Sequence, residues 1–155
     1  IGEDQLPEAH DLASALGIEL PGAEVVPLSV QLEAEAALLP GEERAELLEG
    51  LGLGEGALPV FVRAAHGMLG LRTFLTTGEQ ESRAWTFKDG WKAPQCAGRI
   101  HTDFERGFIR AEVIGHDELL TLGSWSAARD AGQLRLEGKD YLMRDGDVVE
   151  FRFNV

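Results

Sequence analysis

The spacing of apolar residues along the chain changes at Gly70. Upstream of it, apolar side chains recur every three to four residues, which is the period of amphipathic helices. Downstream of it they alternate with polar ones, which is the period of half-buried strands. We therefore predict two domains, over residues 1–66 and 71–155.

The first domain is predicted to contain one strand and several helices. The continuous apolar run at residues 23–29 is typical of a buried strand in a parallel sheet. Helices are predicted over residues 7–16, 31–39, 42–51 and 58–69. The first is expected to end at Gly17. Strand plus helices is an α/β pattern, and one strand cannot form a sheet alone, so we expect this domain to be the end of a larger one in a longer protein.

The second domain is predicted to be built mostly of strands. They are expected over residues 72–78, 82–87, 109–114, 140–143 and 148–153. Turns are predicted where glycine and polar residues cluster, at residues 78–80, 88–90 and 144–147. One helix starts at Pro94, and short helical segments are predicted over residues 116–120 and 124–131. This order is that of an α+β domain of the β-grasp (ubiquitin-like) fold.

The helix that starts at Pro94 carries His101, Thr102 and Asp103 in succession. An aspartate that orients a histidine as a base is one interpretation. However, no serine or cysteine with a defined role is near, and residues two apart do not face each other on a helix. We favour a structural role, in which Thr102 or Asp103 caps backbone groups near the helix end. A third interpretation is RNA contact by His101 and Arg106 beside an exposed phenylalanine.

Charge is distributed unevenly along a chain of net charge −13. Residues 1–66 hold 13 acidic and 2 basic side chains, whereas residues 67–155 hold 14 and 12. Within residues 72–110 seven basic side chains outnumber five acidic ones. A strongly acidic chain is a poor candidate for general nucleic-acid binding, and we expect no DNA partner. A locally basic surface on the second domain is still compatible with RNA.

The sequence offers little for metal, phosphate or redox chemistry. The four histidines and Cys96 show no pair at zinc-finger or His-x-x-x-His spacing, so no metal site is predicted. The glycine-rich residues 50–56 lack the Gly-Lys-Ser/Thr ending of a phosphate loop, so this chain alone is not expected to hold a nucleoside triphosphate. A lone cysteine fits a reducing cytosol, and no signal peptide or membrane span is visible, so we expect a cytoplasmic protein without a membrane partner.

Three tryptophans are candidates for base stacking. Trp85 lies in the middle of a predicted strand among apolar residues, which favours a place in the core. Trp91 follows a turn beside Lys92 and is the better candidate for an exposed contact. Trp125 follows Ser124, a predicted helix N-cap, and is expected to anchor a short helix.

Several segments resemble the YchF-type Obg-like ATPases. They are Arg83-Ala84-Trp85-Thr86, Ala93-Pro94-Gln95, Ala97-Gly98, Ile100-His101-Thr102-Asp103-Phe104-Glu105, Gly107-Phe108-Ile109, Gly138-Lys139-Asp140-Tyr141, Asp145-Gly146-Asp147-Val148 and Phe153-Asn154-Val155. The likeness to the C-terminal TGS domain of that family is long and is ungapped over the central motif. Other TGS domains, such as those of threonyl-tRNA synthetases, are similar over the Ile-His-Thr-Asp core but lack the Phe-Asn-Val ending. The resemblance extends to residue 1.

The resemblance implies the end of a P-loop, GTPase-like domain followed by a TGS domain. It implies an enzyme that hydrolyses ATP (or GTP) with Mg²⁺ bound upstream of this chain. No catalytic residue, metal ligand or cofactor is then expected here, and the fragment alone should be inactive. The implied partner is the ribosome, in particular its large subunit, with ribosomal RNA as one contact. The expected contact residues in the basic region are Lys92, Arg99, His101 and Arg106.

The resemblance also places a base-binding site at the start of the chain. Ile1-Gly2-Glu3 is similar to the last three positions of the family's Asn-x-x-Glu motif, which replaces the guanine-reading Asn-Lys-x-Asp of GTPases. The aspartate of that motif accepts two hydrogens from guanine, a pairing that adenine does not offer, so its loss moves base choice toward ATP. Ser29 and Val30 fall where the second base-contacting loop lies. Gln31 departs from the lysine of that loop, so only a backbone contact is implied there.

An alternative function belongs to a different class. The chain is then a stand-alone, non-catalytic module that binds RNA or a protein. Loss of ribosome binding by the second domain on charge reversal at Arg99 or Arg106 would localise such a surface. The presence of a phosphate-loop motif upstream of Ile1 would instead favour the enzyme.

Overall fold

The computed structural model describes residues 1–20, 23–78 and 81–154. The chain divides into two compact units, Ile1–Leu69 and Gly70–Val155. The roles assigned to these units from the sequence stay predictions. Residues 79 and 80 of one predicted turn, and the last residue of the Phe-Asn-Val ending, lie outside the described residues. No helix in the described ranges is long and apolar enough to cross a membrane.

The first unit is helical throughout its regular structure. A 3₁₀ helix at Glu3–Glu8 leads into α1 (Ala9–Glu19), which is followed by α2 (Val30–Ala36), α3 (Gly41–Gly50) and α4 (Ala57–Met68). The prediction that the first helix ends at Gly17 is wrong. The backbone N–H of Leu20 still bonds the carbonyl of Leu16 at 3.0 Å, because a glycine inside a helix costs only about 1 kcal/mol and does not break it.

The helix predicted over residues 31–39 ends early, at Ala36. Leu38 and Leu39 instead make tighter bonds to the carbonyls three residues before them, each at 3.1 Å. Pro40 follows, and the residue before a proline is disfavoured in the helical conformation, so the tightening there is expected. The next two helices lie close to their predicted positions.

The strand predicted over residues 23–29 is absent from the structure. This segment is irregular, and within the described residues of its unit it pairs with no other strand. A strand is defined by hydrogen bonds to a neighbour, so an apolar run alone does not make one. Residues 25–28 are half-buried and Ser29 is buried.

The second unit is a mixed α/β domain around a five-stranded sheet. Its strands are β1 (Leu71–Thr77), β2 (Ser82–Lys88), β3 (Phe108–Gly115), β4 (Arg135–Glu137) and β5 (Asp147–Phe153). They lie in the order β2-β1-β5-β3-β4. The central pair, β1 and β5, is parallel, and the remaining pairs are antiparallel.

The two faces of this sheet bury separate apolar clusters, because strand side chains alternate in direction. On one face α5 (Ala93–Ile100) covers a cluster whose largest members are aromatic. On the other face α7 (His116–Leu122) and α8 (Trp125–Asp130) contribute to a smaller cluster around Ile114 and Val148. The first cluster consists of Phe74, Phe87, Ala93, Cys96, Ala97, Phe108, Ala111, Val113, Met143, Val149 and Phe151.

Two strand predictions need correction. Residues 140–143 form only an isolated bridge, between Leu142 and Lys92, and not a strand. The fourth strand is instead β4, which pairs with the middle of β3. Its sequence, Arg-Leu-Glu, has one apolar residue between two charges, so its pattern gave no strand signal. The short helices α7 and α8 and the strands β1, β2, β3 and β5 confirm their predictions within one or two residues.

The single helix predicted from Pro94 is two helices, α5 and α6 (Thr102–Arg106). His101 lies between them in an extended conformation, with φ −159° and ψ 143°. Its Nδ1 accepts a hydrogen bond of 3.2 Å from the backbone N–H of Asp103. The break is therefore stabilised because it satisfies a free amide at the start of the second helix.

Candidate functional site

The start of the chain contacts the segment that was predicted to bind a nucleotide base with it. The backbone nitrogen of Ile1 donates to the carbonyl of Leu28, the residue before Ser29, at 2.8 Å. Ser29 follows immediately, and Val30, which is 76 % exposed, begins α2. The Ile1–Leu28 hydrogen bond therefore brings Ile1 close to Ser29 and Val30, which are three of the four residues predicted for this site.

Ser29 has an unusual side chain. Its residue is 3 % exposed, and its hydroxyl oxygen is buried without a hydrogen-bond partner in the described part of the chain. A buried hydroxyl without a partner costs about 1 to 3 kcal/mol. It is the one buried side-chain polar atom among the described residues that is left in this state.

Glu3 lies apart from this contact. It is exposed at the start of the 3₁₀ helix, where the N–H of Gly2 donates to Gln5 Oε1 at 3.0 Å. In the described residues its carboxylate makes no hydrogen bond or ion pair with Ser29 or Val30. The structure therefore brings Ile1, but not Glu3, into contact with the second predicted segment.

An apolar groove runs beside the same segment in the first unit. A volume of about 330 Å³ is lined mainly by Val26, Leu28, Phe61 and Met68. Phe61 and Met68, both on α4, are 55 % and 75 % exposed. Its walls carry few polar groups, so it offers apolar contact rather than directional recognition.

Two of the four predicted ribosome contacts already have partners within the second unit. Lys92 Nζ donates to Asp140 Oδ1 at 2.7 Å, and this hydrogen bond, followed by the lysine charge, lowers the pKa of Asp140. Arg99 Nε donates to the carbonyl of Thr86 on β2 at 3.1 Å. Both cationic side chains are nevertheless exposed.

The other two, His101 and Arg106, lie at the two ends of α6 and are exposed. Among the described residues Arg106 makes no ion pair. His101 itself is the cap, which corrects the prediction that Thr102 or Asp103 has this role. Its contacts with Asp103 include an Nδ1 to Oδ2 distance of 3.4 Å, and no serine or cysteine nucleophile accompanies them. The geometry supports the structural interpretation over the catalytic one.

The aromatic side chains near these four residues are not fully exposed. The prediction placed an exposed phenylalanine beside His101 and Arg106, but Phe104, which lies between them, stacks on Phe153 with ring centroids 3.7 Å apart and is half-buried. Trp91, predicted as an exposed contact, is half-buried against the first apolar cluster. Trp85 also packs there, as predicted, and its Nε1 donates to Thr76 Oγ1 at 2.9 Å. Trp125 packs against the second cluster and anchors α8, whose N-cap is Ser124.

Sequence reasoning missed a buried carboxylate, Asp147, at the start of β5. It is 3 % exposed and accepts hydrogen bonds from Tyr141, Arg135 and the backbone of Arg144, at 2.7, 3.0 and 2.9 Å. Burial, followed by the hydrogen bond to Asp147, raises the pKa of Tyr141 to about 12. The sequence signal was only an aspartate after a turn glycine, which does not show that the side chain is buried or which residues bond to it.

A second buried carboxylate, Glu112, lies on the other face of the sheet. Arg129 Nη2 and Arg152 Nη2 approach it at 3.1 and 3.5 Å. Burial raises the pKa of Glu112, but the hydrogen bond from Arg129 and the charges of both arginines outweigh it, so the pKa is lowered overall. Glu112 is thus ion-paired with both arginines. In the described ranges there is no cluster of three or more histidine, cysteine, aspartate or glutamate side chains that could hold a metal ion.

The chain thus consists of a helical unit followed by a unit with a five-stranded mixed sheet. Comparison with known proteins identifies the family to which it belongs. The family model named YchF-GTPase_C, described as "Protein of unknown function (DUF933)", matches residues 71–154. The chain belongs to this family of YchF and Obg-like ATPases.

Individual relatives support this assignment. The chain is 54 % identical over 133 residues to the "Ribosome-binding ATPase YchF" of Bacillus subtilis, which covers 86 % of this chain and 36 % of the relative. It is 46 % identical over 134 residues to "Obg-like ATPase 1" of Rattus norvegicus, with 86 % and 34 % covered. The chain therefore spans little more than a third of the length of these relatives.

A solved structure has the same fold. The Schizosaccharomyces pombe YchF GTPase matches with a TM-score of 0.80 and 33 % identity, over 96 % of this chain and 38 % of that one. The mixed α/β fold of the second unit and its five-stranded sheet therefore agree with a known YchF structure.

Proposed function

We propose that this chain is the C-terminal portion of a ribosome-associated P-loop nucleoside triphosphatase that prefers ATP. The observation that carries the proposal is the 54 % identity to a protein named as a ribosome-binding ATPase. In the proposal, residues 1–66 complete the nucleotide-binding domain and residues 71–155 form a TGS domain of the β-grasp type. ATP and Mg²⁺ are held mainly by upstream residues, and the protein acts in the cytoplasm, where ribosomes are found.

The base-binding role falls to Ile1, Glu3, Ser29 and Val30. The contact between the backbone nitrogen of Ile1 and the Leu28 carbonyl supports it, because this contact brings the start of the chain next to Ser29. Because the Ser29 hydroxyl is buried, only the backbone of residues 29 and 30 is proposed to contact the base. ATP supplies the phosphoryl group for hydrolysis, and the residues of this chain would only orient the base.

Isothermal calorimetry on the full-length protein tests this role. We expect tighter binding of ATP than of GTP, and we expect Glu3→Asp to increase GTP affinity about tenfold, because the aspartate restores the two-point pairing with guanine. Glu8→Asp, another exposed acidic residue of the same 3₁₀ helix, is the matched control and should change neither affinity. A clear GTP preference of the unaltered protein contradicts the base assignment. The 155-residue chain alone is expected to hydrolyse neither nucleotide.

The second unit is proposed to contact the ribosome. The sheet order β2-β1-β5-β3-β4, with α5 across one face, is consistent with a β-grasp domain. Lys92, Arg99, His101 and Arg106 are the proposed contact residues, and all four are exposed around α5 and α6. Exposed lysine and arginine side chains neutralise phosphate charge, and the large ribosomal subunit and its RNA offer such charge.

Cosedimentation of the 155-residue chain with purified ribosomes tests the contact role separately from the nucleotide role. Saturable binding that decreases with salt is expected. A chain that stays in the supernatant at every ribosome concentration contradicts this part of the proposal and leaves the nucleotide experiment unaffected.

A further inference from the structure

The outer edge of β2 has a defined pattern of backbone groups. At one end of the β1–β2 pair the N–H of Asp89 donates to the carbonyl of Gly70 at 2.8 Å, and at the other the N–H of Gly78 donates to the carbonyl of Glu81 at 3.0 Å. Both pairs continue the register in which Phe74 lies opposite Trp85. Hydrogen-bonded and non-hydrogen-bonded pairs alternate along an antiparallel ladder. Asp89 and Glu81 are odd-numbered and bond to the β1 side, so the odd-numbered residues of β2 point their backbone groups toward β1. The even-numbered residues of β2 therefore point their N–H and carbonyl groups away from it.

This outer edge belongs to Ser82, Ala84, Thr86 and Lys88, all of which are exposed. β2 is the end strand of the sheet, so no further strand covers it among the described residues of the second unit. Two of its carbonyls are used within the unit: Thr86 accepts from Arg99 Nε at 3.1 Å, and Lys88 accepts from the N–H of Trp91 at 3.1 Å. Within the described residues, Ser82 and Ala84 keep both backbone groups available, and Thr86 keeps its N–H.

The side chains around this edge are cationic. Arg83 lies over the Trp85 ring, 4.3 Å from its centroid, and Lys88 and Arg99 lie farther along the edge. Among the described residues two acidic side chains are near: Glu81, 3.9 Å from Arg83, and Asp89, which pairs with a further cation, Arg72, at 3.5 Å. An incoming strand therefore meets mostly positive charge.

From these observations we propose that the β2 edge is a docking site for an extended, acidic protein segment, which adds to the sheet as a sixth strand. Main-chain hydrogen bonds to Ser82, Ala84 and Thr86 supply the affinity, as in other strand-addition complexes. Carboxylates on one face of the segment pair with Arg83 and Arg99, a carboxylate on its other face can pair with Lys88, and this pairing supplies the selectivity.

The proposal commits to an acidic partner rather than to a second copy of β2. Self-pairing would bring Arg83 and Lys88 of one copy toward the same cations of the other. Charges on an edge strand are a common protection against such pairing. The Thr86 carbonyl already accepts a hydrogen bond from Arg99, so fewer backbone groups of β2 remain for a second copy to pair with.

The first test uses synthetic peptides and the complete 155-residue chain. The probe is an acetylated and amidated peptide of about eight residues that alternates valine with glutamate, and its control has lysine in place of glutamate. Titration followed by amide NMR is expected to show saturable shifts centred on Ser82, Ala84 and Thr86. The lysine peptide is expected to bind at least about tenfold more weakly. A short single-stranded RNA is titrated in parallel.

N-methylated peptides test the backbone bonds without any change to the protein. In one peptide the odd-numbered amides are methylated, and in the other the even-numbered ones. Because successive N–H groups of a strand point to opposite edges, one of these patterns removes every donor that faces β2 and the other removes none of them. One of the two methylated peptides should therefore bind like the parent and the other should not bind. Equal effects of both patterns would overturn the proposal.

Protein variants test the same edge from the other side. Ala84→Pro removes one outward N–H and should weaken binding of the acidic peptide about tenfold, because proline is tolerated where the N–H of an edge strand faces solvent. Ala84→Ser keeps this N–H and should bind within about twofold of the unaltered chain. The proposal fails if the acidic peptide does not bind, if the lysine peptide binds equally well, or if shifts at this edge arise only with RNA or from concentration-dependent dimerisation.

Discussion

The phenolic hydroxyl of Tyr141 donates to Oδ2 of Asp147 at 2.7 Å, and the carboxylate that receives it is buried. The other oxygen of the same carboxylate accepts from Arg135 Nη2 at 3.0 Å. One side chain therefore connects the start of β5, the edge strand β4 and the loop between them. Hydrogen bonds to a charged acceptor are among the stronger ones in proteins, so we expect Asp147 to be important for the stability of the second unit.

Asp147→Asn removes the charge while keeping the size of the side chain. We expect the free energy of unfolding of the second unit to fall by about 2 to 3 kcal/mol, because Arg135 and Tyr141 lose an ionised acceptor. Urea unfolding followed by tryptophan fluorescence measures the change. Asp130→Asn, at the exposed end of α8, is the control and should stay within about 0.5 kcal/mol of the unaltered chain.

Gly107 lies against the backbone of Asn154, and the N–H of Asn154 donates to the carbonyl of Gly107 at 2.8 Å. A Cβ at position 107 would clash with the carbonyl group of Asn154, which is main chain and cannot rotate away. Gly107→Ala should therefore destabilise the second unit by about 2 kcal/mol or more. Gly138→Ala is the matched control, since a Cβ there meets nothing within 4 Å. Equal melting temperatures for the two variants would show that the close approach does not exist in solution.

The lowered pKa of Glu112 predicts how the stability of the second unit depends on pH. Because the folded-state pKa lies below its ordinary value of 4.5, this group contributes stability above that value and loses it as the pH falls through the folded-state pKa. The stability difference between the unaltered chain and Glu112→Gln should thus be largest near about pH 7 and decrease toward about pH 3. Urea unfolding at several pH values measures it. A difference that grows on acidification would contradict the ion pairs with Arg129 and Arg152.

Cys96 should be chemically silent in the folded protein. It is fully buried in the first apolar cluster, and burial raises the pKa of its thiol to about 12, with a further contribution from the charge of Asp147. Because the thiolate is the reactive form, iodoacetamide should not modify Cys96 until the second unit unfolds. Mass spectrometry after labelling with and without urea measures this. Complete labelling of the native chain within minutes would place Cys96 at the surface instead.

Much of the second unit was predictable because its strands obey a local rule. Apolar side chains recur at every second position in β2 (Trp85, Phe87) and in β5 (Val149, Phe151, Phe153). Gly90 and Gly146 lie in the turns, with the positive φ angles that favour glycine. The missing strand β4 has a single apolar residue, Leu136, and it is held by the ladder with β3. The break at His101 depends on a side-chain cap that a helical period does not show.

The candidate sites were less predictable, since they depend on contacts between distant parts of the chain. The basic residues could be named from charge alone, yet the Lys92 and Arg99 contacts appear only in the folded unit. Glu112 was missed because one of its partners, Arg152, lies 40 residues away, and Asp147 was missed because its burial depends on how the loop before β5 folds. In the first unit, an apolar run at residues 23–29 has the composition of a strand without a strand partner in the described residues.

The most direct test of the proposed function is the affinity of the 155-residue chain for purified ribosomes, measured by cosedimentation before and after charge reversal. Arg106→Glu is the informative variant, because this exposed cation has no ion pair among the described residues. Lys139→Glu, an exposed cation of the loop after β4, makes the same change in net charge. The account predicts saturable binding that Arg106→Glu weakens about tenfold and Lys139→Glu changes less than about twofold. Absence of binding, or equal weakening by both variants, would contradict it.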